Sequence, residues 1–234
     1  MGAVILFLAV VGTIAACWLS RQRLTAKPWL EEGALADFPD SDGSSVPVAK
    51  IGLGVFLAVV GSLFALLISA YLVRTGLADW RPPPVPRLLW LNTAVLAASS
   101  IALQLAQMAA YRSDMEGVRA GLLVGGISAV AFLAGQLLAW KQLASEGYFL
   151  TTNPGSSFFF LITAVHGLHI LGGLVALGRT ARKAWRGIAT PHLRLEIELC
   201  AMYWHFLLFA WLILFGVLMG WSESLVVICR AWLP

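Results

Sequence analysis

Two short strings inside long apolar segments hold three of the four histidines of this chain: Ala164-Val165-His166-Gly167-Leu168-His169 and Glu198-Leu199-Cys200-Ala201-Met202-Tyr203-Trp204-His205-Phe206. An imidazole can ligate haem iron, pass a proton or hydrogen-bond within the protein. At membrane depth it is too costly to bury without one of these uses. His166 and His169, at i and i+3, share a helix face. His169 falls about 20 Å below the outer end of its apolar segment and His205 about 10 Å above the inner end of the next, at about 1.5 Å per residue. In a hydrocarbon layer of about 30 Å the two reach similar depth. A haem held between two helices needs that arrangement, and so do two hydrogen-bonded structural histidines; the structural reading is favoured.

Other chemistry is thinly represented. All twelve acidic residues lie in expected loops or near an expected helix end. With no carboxylate left in the bilayer core, a proton-relaying or ion-coupled transporter is disfavoured. A nucleophile elbow, a zinc-protease helix and a phosphate-binding glycine loop are missing from the sequence. Cys17, Cys200 and Cys229 are widely spaced and odd in number, which fits free thiols better than a metal site or disulfide framework. A membrane haem anchor and a small transporter stay open as readings from other functional classes.

The elements that must position the histidines are membrane helices. Hydrophobic residues make up 59% of the 234 and charged residues 12%, about half the charged share of a soluble domain. Six segments are long enough to cross a bilayer: Ala3–Leu19, Ile51–Val73, Leu88–Ala110, Gly121–Ala144, Ser156–Gly178 and Glu198–Trp221. None shows the short alternating pattern of a barrel strand, so the expected fold is an all-α, polytopic helical bundle of about six spans. The first segment lacks a basic stretch before it, and Arg21, Arg23 and Lys27 follow it. It therefore reads as a retained helix rather than a secretion signal. The expected organisation is an N-terminal transmembrane helix over 1–20, a flexible cytoplasmic linker over 21–49, a five-helix domain over 50–221 and a tail over 222–234.

Lys and Arg number eleven on loops one, three and five and five on the opposite side. The bias places those three loops in the cytoplasm and both termini outside. The net charge of +4 follows from this bias and suits anionic lipid headgroups, with no call for nucleic acid. Small residues every four positions mark close helix approach: Gly54, Ala58 and Ser62; Gly121, Gly125 and Ala129; Thr163 with Gly167; and Gly172 with Ala176. Thr93, Ser100, Gln104 and Gln107 line one face of the third segment. That stripe should point at protein and hydrogen-bond between helices.

At these residues the chain resembles subunit III of the haem-copper oxygen reductases. The resemblance rests on His166-Gly167-Leu168-His169 followed by Gly172-Gly173, and on Tyr203-Trp204-His205-Phe206 with Trp211. It extends to Lys50–Tyr71, Leu91-Asn92-Thr93, Ser99-Ser100, Leu103-Gln104, Phe132–Gln136, Trp140–Leu143, Asn153-Pro154 and Ser157–Phe159, and so covers about residues 50 to 221.

The resemblance implies a metal-free, non-catalytic subunit of a respiratory oxidase in a bacterial inner membrane, the electron donor being cytochrome c. It packs on subunit I and subunit II; haem and copper belong to those partners, and bound phospholipid belongs to this chain. A quinol oxidase or a nitric oxide reductase would use a similar subunit. The residues it offers for structural, lipid or subunit contact are His166, His169, Glu198, Trp204, His205, Gln104 and Gln136. Three carboxylates common in the family pattern are missing: Val59-Val60 follows Phe56-Leu57-Ala58, Ala139 precedes Trp140, and Leu208 follows the last histidine motif. The first helix does not match the two extra N-terminal helices of longer members, so the lipid-filled cleft framed by those helices is not implied here.

Overall fold

Proline, asparagine and aspartate cut the apolar runs into helices. The computed structural model describes Thr13 and residues 48–151, 153–186 and 191–220. The helices within these ranges are α1 (Val48–Thr75), α2 (Leu88–Tyr111), α3 (Met115–Ser145), α4 (Pro154–Trp185) and α5 (Pro191–Leu218). All five are long and apolar enough to span a membrane. The segment Ala3–Leu19 lies outside the described residues apart from Thr13, as do the linker from residue 21 to 47, Cys17, Cys229 and the tail after residue 220. Among the described residues the spans therefore number five, and the sixth of the expected set falls beyond them.

Local chemistry sets the helix ends. Asp114 caps α3, its Oδ1 accepting from the backbone N–H groups of Glu116 and Gly117. Asn153 caps α4 by accepting from Ser156 N–H, and Pro154 occupies the first turn, where a missing N–H costs nothing. The proline-rich stretch Pro82–Pro86 stays extended until α2 begins. Ser113, at φ 58°, turns the chain sharply between α2 and α3.

Helices α3, α4 and α5 start six, two and seven residues earlier than the hydropathy pattern placed them. Their first turns are polar or mixed in sequence, and capping and tertiary bonds carry the helix past the apolar boundary. The shift sets Glu196 and Glu198 inside α5, with Glu196 paired to Lys183 at the end of α4.

The described residues up to Val60, in the first half of α1, belong to one compact unit and those from Gly61 onward to another. In the second unit α2 packs on α3 and α5, and α4 packs on α3 and α5, so the four helices close a ring. Its core is aromatic and aliphatic: Trp204, Trp211, Phe132, Phe159, Leu96 and Leu103 are all fully buried. Phe64 of α1 lies against His166 and His169 of α4. Tyr71, Trp80 and Phe158 pack edge-on and tilted at one end of the unit.

The small-residue motifs divide. A Cβ on Gly121 would come within 2.7 Å of Ala106, and one on Gly125 within 3.0 Å of Leu103, so these glycines do bring α3 onto α2. The pairing of Gly172 with Ala176 is corrected. Both are exposed, and a Cβ at Gly172 would meet nothing. The close approach belongs to Gly173, where a Cβ would lie 2.6 Å from Tyr203 and 2.8 Å from Trp204.

Candidate functional site

The histidines are positioned by α4 and α5, and each is used differently. His166 is fully buried in a box of rings. Trp211 stacks on it at 5.0 Å, Phe132 meets it edge-on at 5.8 Å and Phe64 leans on it at 6.0 Å. Neither of its nitrogens has a hydrogen-bond partner among the described residues. His169 Nδ1 lies 2.8 Å from its own helix carbonyl at Val165, and the backbone carbonyl of His169 accepts from Tyr203 O–H at 2.9 Å.

His205 is held from both sides by α2. Its Nδ1 lies 2.5 Å from Ser100 Oγ and its Nε2 lies 2.8 Å from Gln104 Oε1. With Ser100 donating to Nδ1, the Nε2–H donates to Gln104, and a neutral imidazole satisfies both contacts. His205 stands 14 residues into α5, about 21 Å at about 1.5 Å per residue, close to the helix midpoint. His169 and His205 thus share a depth but bond to different groups.

Three of the four residues of the α2 stripe engage α5, as its spacing predicts. Thr93 Oγ1 accepts from Trp211 Nε1 at 2.9 Å, while Ser100 and Gln104 engage His205. Gln107 has no bond among the described residues. Gln136 is buried; its Oε1 is 3.4 Å from Asn92 Nδ2, and its Nε2 has no partner among the described residues. Trp204 is fully buried with its N–H likewise without one, its ring covering Gly173. Glu198 is half-buried on α5 and has an interaction of its own.

Three positions within the resemblance received no bonding role from sequence. Asn92 donates to the Phe132 carbonyl at 3.0 Å, tying α2 to α3, and Gly135 leaves room for its carboxamide. Ser99 donates to the Gly125 carbonyl at 2.7 Å. Trp140 donates to Thr163 at 3.0 Å. The available signal was polar residues inside an apolar helix, which in a membrane must find partners.

Chemically, the site is a set of interhelical fastenings. Cys200 is a buried free thiol 3.7 Å from Thr180 Oγ1. No cluster of three or more His, Cys, Asp or Glu with metal-binding geometry occurs among the described residues. With both ring nitrogens of His205 in hydrogen bonds and His166 walled by rings, neither presents a free ligand atom to an open cavity.

The family model described as "Cytochrome c oxidase subunit III" matches residues 52–223. The "Probable cytochrome c oxidase subunit 3" of Mycobacterium tuberculosis is 32% identical over 165 residues, covering 69% of this chain and 80% of the relative. "Cytochrome c oxidase subunit 3" of Thermostichus vulcanus is 31% identical over 176 residues, 72% of this chain and 85% of that protein. The protein of the same description from Synechocystis is 30% identical over 173 residues, 70% and 72% of the two chains.

Proposed function

The chain belongs to the cytochrome c oxidase subunit III family, and from that premise we propose how it serves its complex. It is an accessory subunit III of a cytochrome c oxidase and a multi-pass membrane protein. In our reading it packs on subunit I, with subunit II close by, and holds that assembly together without carrying haem or copper of its own. Oxygen reduction then takes place in the partners.

The observation that supports this best is the use made of His205. Its two nitrogens join α2 to α5 through Ser100 and Gln104, so the motif residue most exposed to a ligand is committed to holding the bundle. His166 and Trp204 act as core packing, Gln136 as packing that also meets Asn92, His169 as a helix-backbone anchor, and Glu198 as a half-buried contact near the start of α5.

We place phospholipid along the seam of α3 and α4. Two apolar grooves lie there: one of about 570 Å³ bordered by Trp140, Lys141 and Tyr148, the other of about 370 Å³ between Leu122–Val130 and Leu174–Trp185. Aromatic and basic residues at groove ends suit headgroups, and apolar walls suit acyl chains. The orientation in a bacterial inner membrane follows from charge, with both termini periplasmic.

The test is purification of the oxidase through a tag on a partner. The chain should copurify in fixed ratio, and its deletion should leave haem per catalytic subunit unchanged. A haem absorption band in the isolated chain would overturn the reading.

A further inference from the structure

Along the seam of α2 and α5 the polar stripe runs from inside the bundle to its surface. Thr93 is spent on Trp211, and Ser100, 1% exposed, is spent on His205. One turn later the stripe emerges. Gln104 commits one half of its carboxamide to His205, and the other half has no bond among the described residues. Gln107, half-buried, has none among the described residues either. Whichever way the Gln104 amide is turned, one of its two polar atoms faces outward.

These groups are not at the water surface. Gln104 lies about 10 Å and Gln107 about 6 Å from the Tyr111 end of a helix about 36 Å long, at about 1.5 Å per residue. The hydrocarbon layer is about 30 Å thick, which puts both carboxamides inside it. Lipid tails offer neither donor nor acceptor. Around the carboxamides the surface is apolar: Ile101, Leu105, Met108, Met202 and Phe209 are all exposed. A polar centre ringed by apolar side chains is how membrane helices bind one another.

We propose that this α2–α5 face is the docking surface for a transmembrane helix of the catalytic partner subunit. That helix presents hydroxyl, carboxamide or unpaired carbonyl groups to Gln104 and Gln107. The proposal rests on the reading of the chain as an oxidase subunit, and goes beyond it by naming the face and the chemistry of the contact.

A photoreactive amino acid at position 105, in the intact oxidase, tests this against the same probe at Leu137 on the exposed side of α3. Position 105 should yield an adduct with one larger integral subunit, and position 137 should not. Lipid adducts alone from 105, in a complex that still retains the chain, would overturn the docking face and leave the subunit assignment standing. An oxidase that purifies without this chain would overturn the assignment itself. Gln107 has no bond to lose among the described residues, so Gln107→Met should lower retention through detergent washing about threefold, the worth of one interhelical hydrogen bond. Retention unchanged in both Gln104→Met and Gln107→Met would also count against the proposal.

Discussion

At His205 a ring is fixed by two bonds to one neighbouring helix, whereas at His166 a similar ring is fixed, among the described residues, by packing alone. The two should respond to substitution in opposite ways. His205→Ala leaves buried Ser100 and half-buried Gln104 without their partner, and an orphaned buried polar group costs about 1 to 3 kcal/mol. The subunit should then loosen in the complex, seen as a lower thermal midpoint for its loss, with haem content unchanged. His166→Phe keeps the ring volume among Phe64, Phe132 and Trp211 and removes nitrogens unpaired by any described residue. That variant should match or exceed the parent in thermal stability; a loss as large as that of His205→Ala would mean that His166 nitrogens carry bonds. From sequence, the histidines and the α2 stripe were legible because the helical period fixes which residues share a face. The pairing of Ser100 and Gln104 with His205 was not, because their separation of about a hundred residues makes it a matter of which helices become neighbours.

Among the elements, closeness of approach is set by a few glycines. Gly173 lets the rings of Tyr203 and Trp204 sit directly on α4. Gly173→Ala should therefore force α4 and α5 apart, at the cost of about 1 to 3 kcal/mol typical of overpacking. Gly172→Ala meets open space and should be neutral or slightly stabilising, since alanine is the better helix former by about 1 kcal/mol. Protease resistance of the two variants in membranes measures the difference; equal behaviour would place the α4–α5 contact elsewhere. The four-residue spacing pointed to Gly172 with Ala176, one position off. Adjacent glycines satisfy similar spacings, and only the partner helix decides which one is inside. Helix existence was legible through hydropathy, while the helix starts were not, because caps such as Asp114 and Asn153 begin a helix before its apolar run does.

For the whole molecule, orientation follows from where the basic residues gather. Contacts across the bundle establish that the connections after α2 and after α4 share one end: Arg119 Nε donates to the Ala184 carbonyl, and Arg194 donates to Ser113 Oγ. That end also carries Arg112, Arg179, Arg182, Lys183 and Arg186, against Arg74, Arg81, Arg87 and Lys141 at the other. Ion pairs do little to blunt the difference: Lys183 meets Glu196 at the first end and Arg74 meets Asp79 at the second. The positive-inside rule then sets the Arg119–Arg194 end in the cytoplasm. Reporter fusions after Pro39 and after Arg186 should read cytoplasmic, and a fusion at Pro234 periplasmic. Removing charge tests the cause as well as the outcome. Neutralising Arg179, Arg182 and Arg186 together, none of which is ion-paired among the described residues, should weaken the cytoplasmic signal at 186 and leave the helices in place. A cytoplasmic Pro234 reporter in the unaltered chain would invert or break the five described spans, and with them the depth at which Gln104, Gln107 and His205 meet their partner.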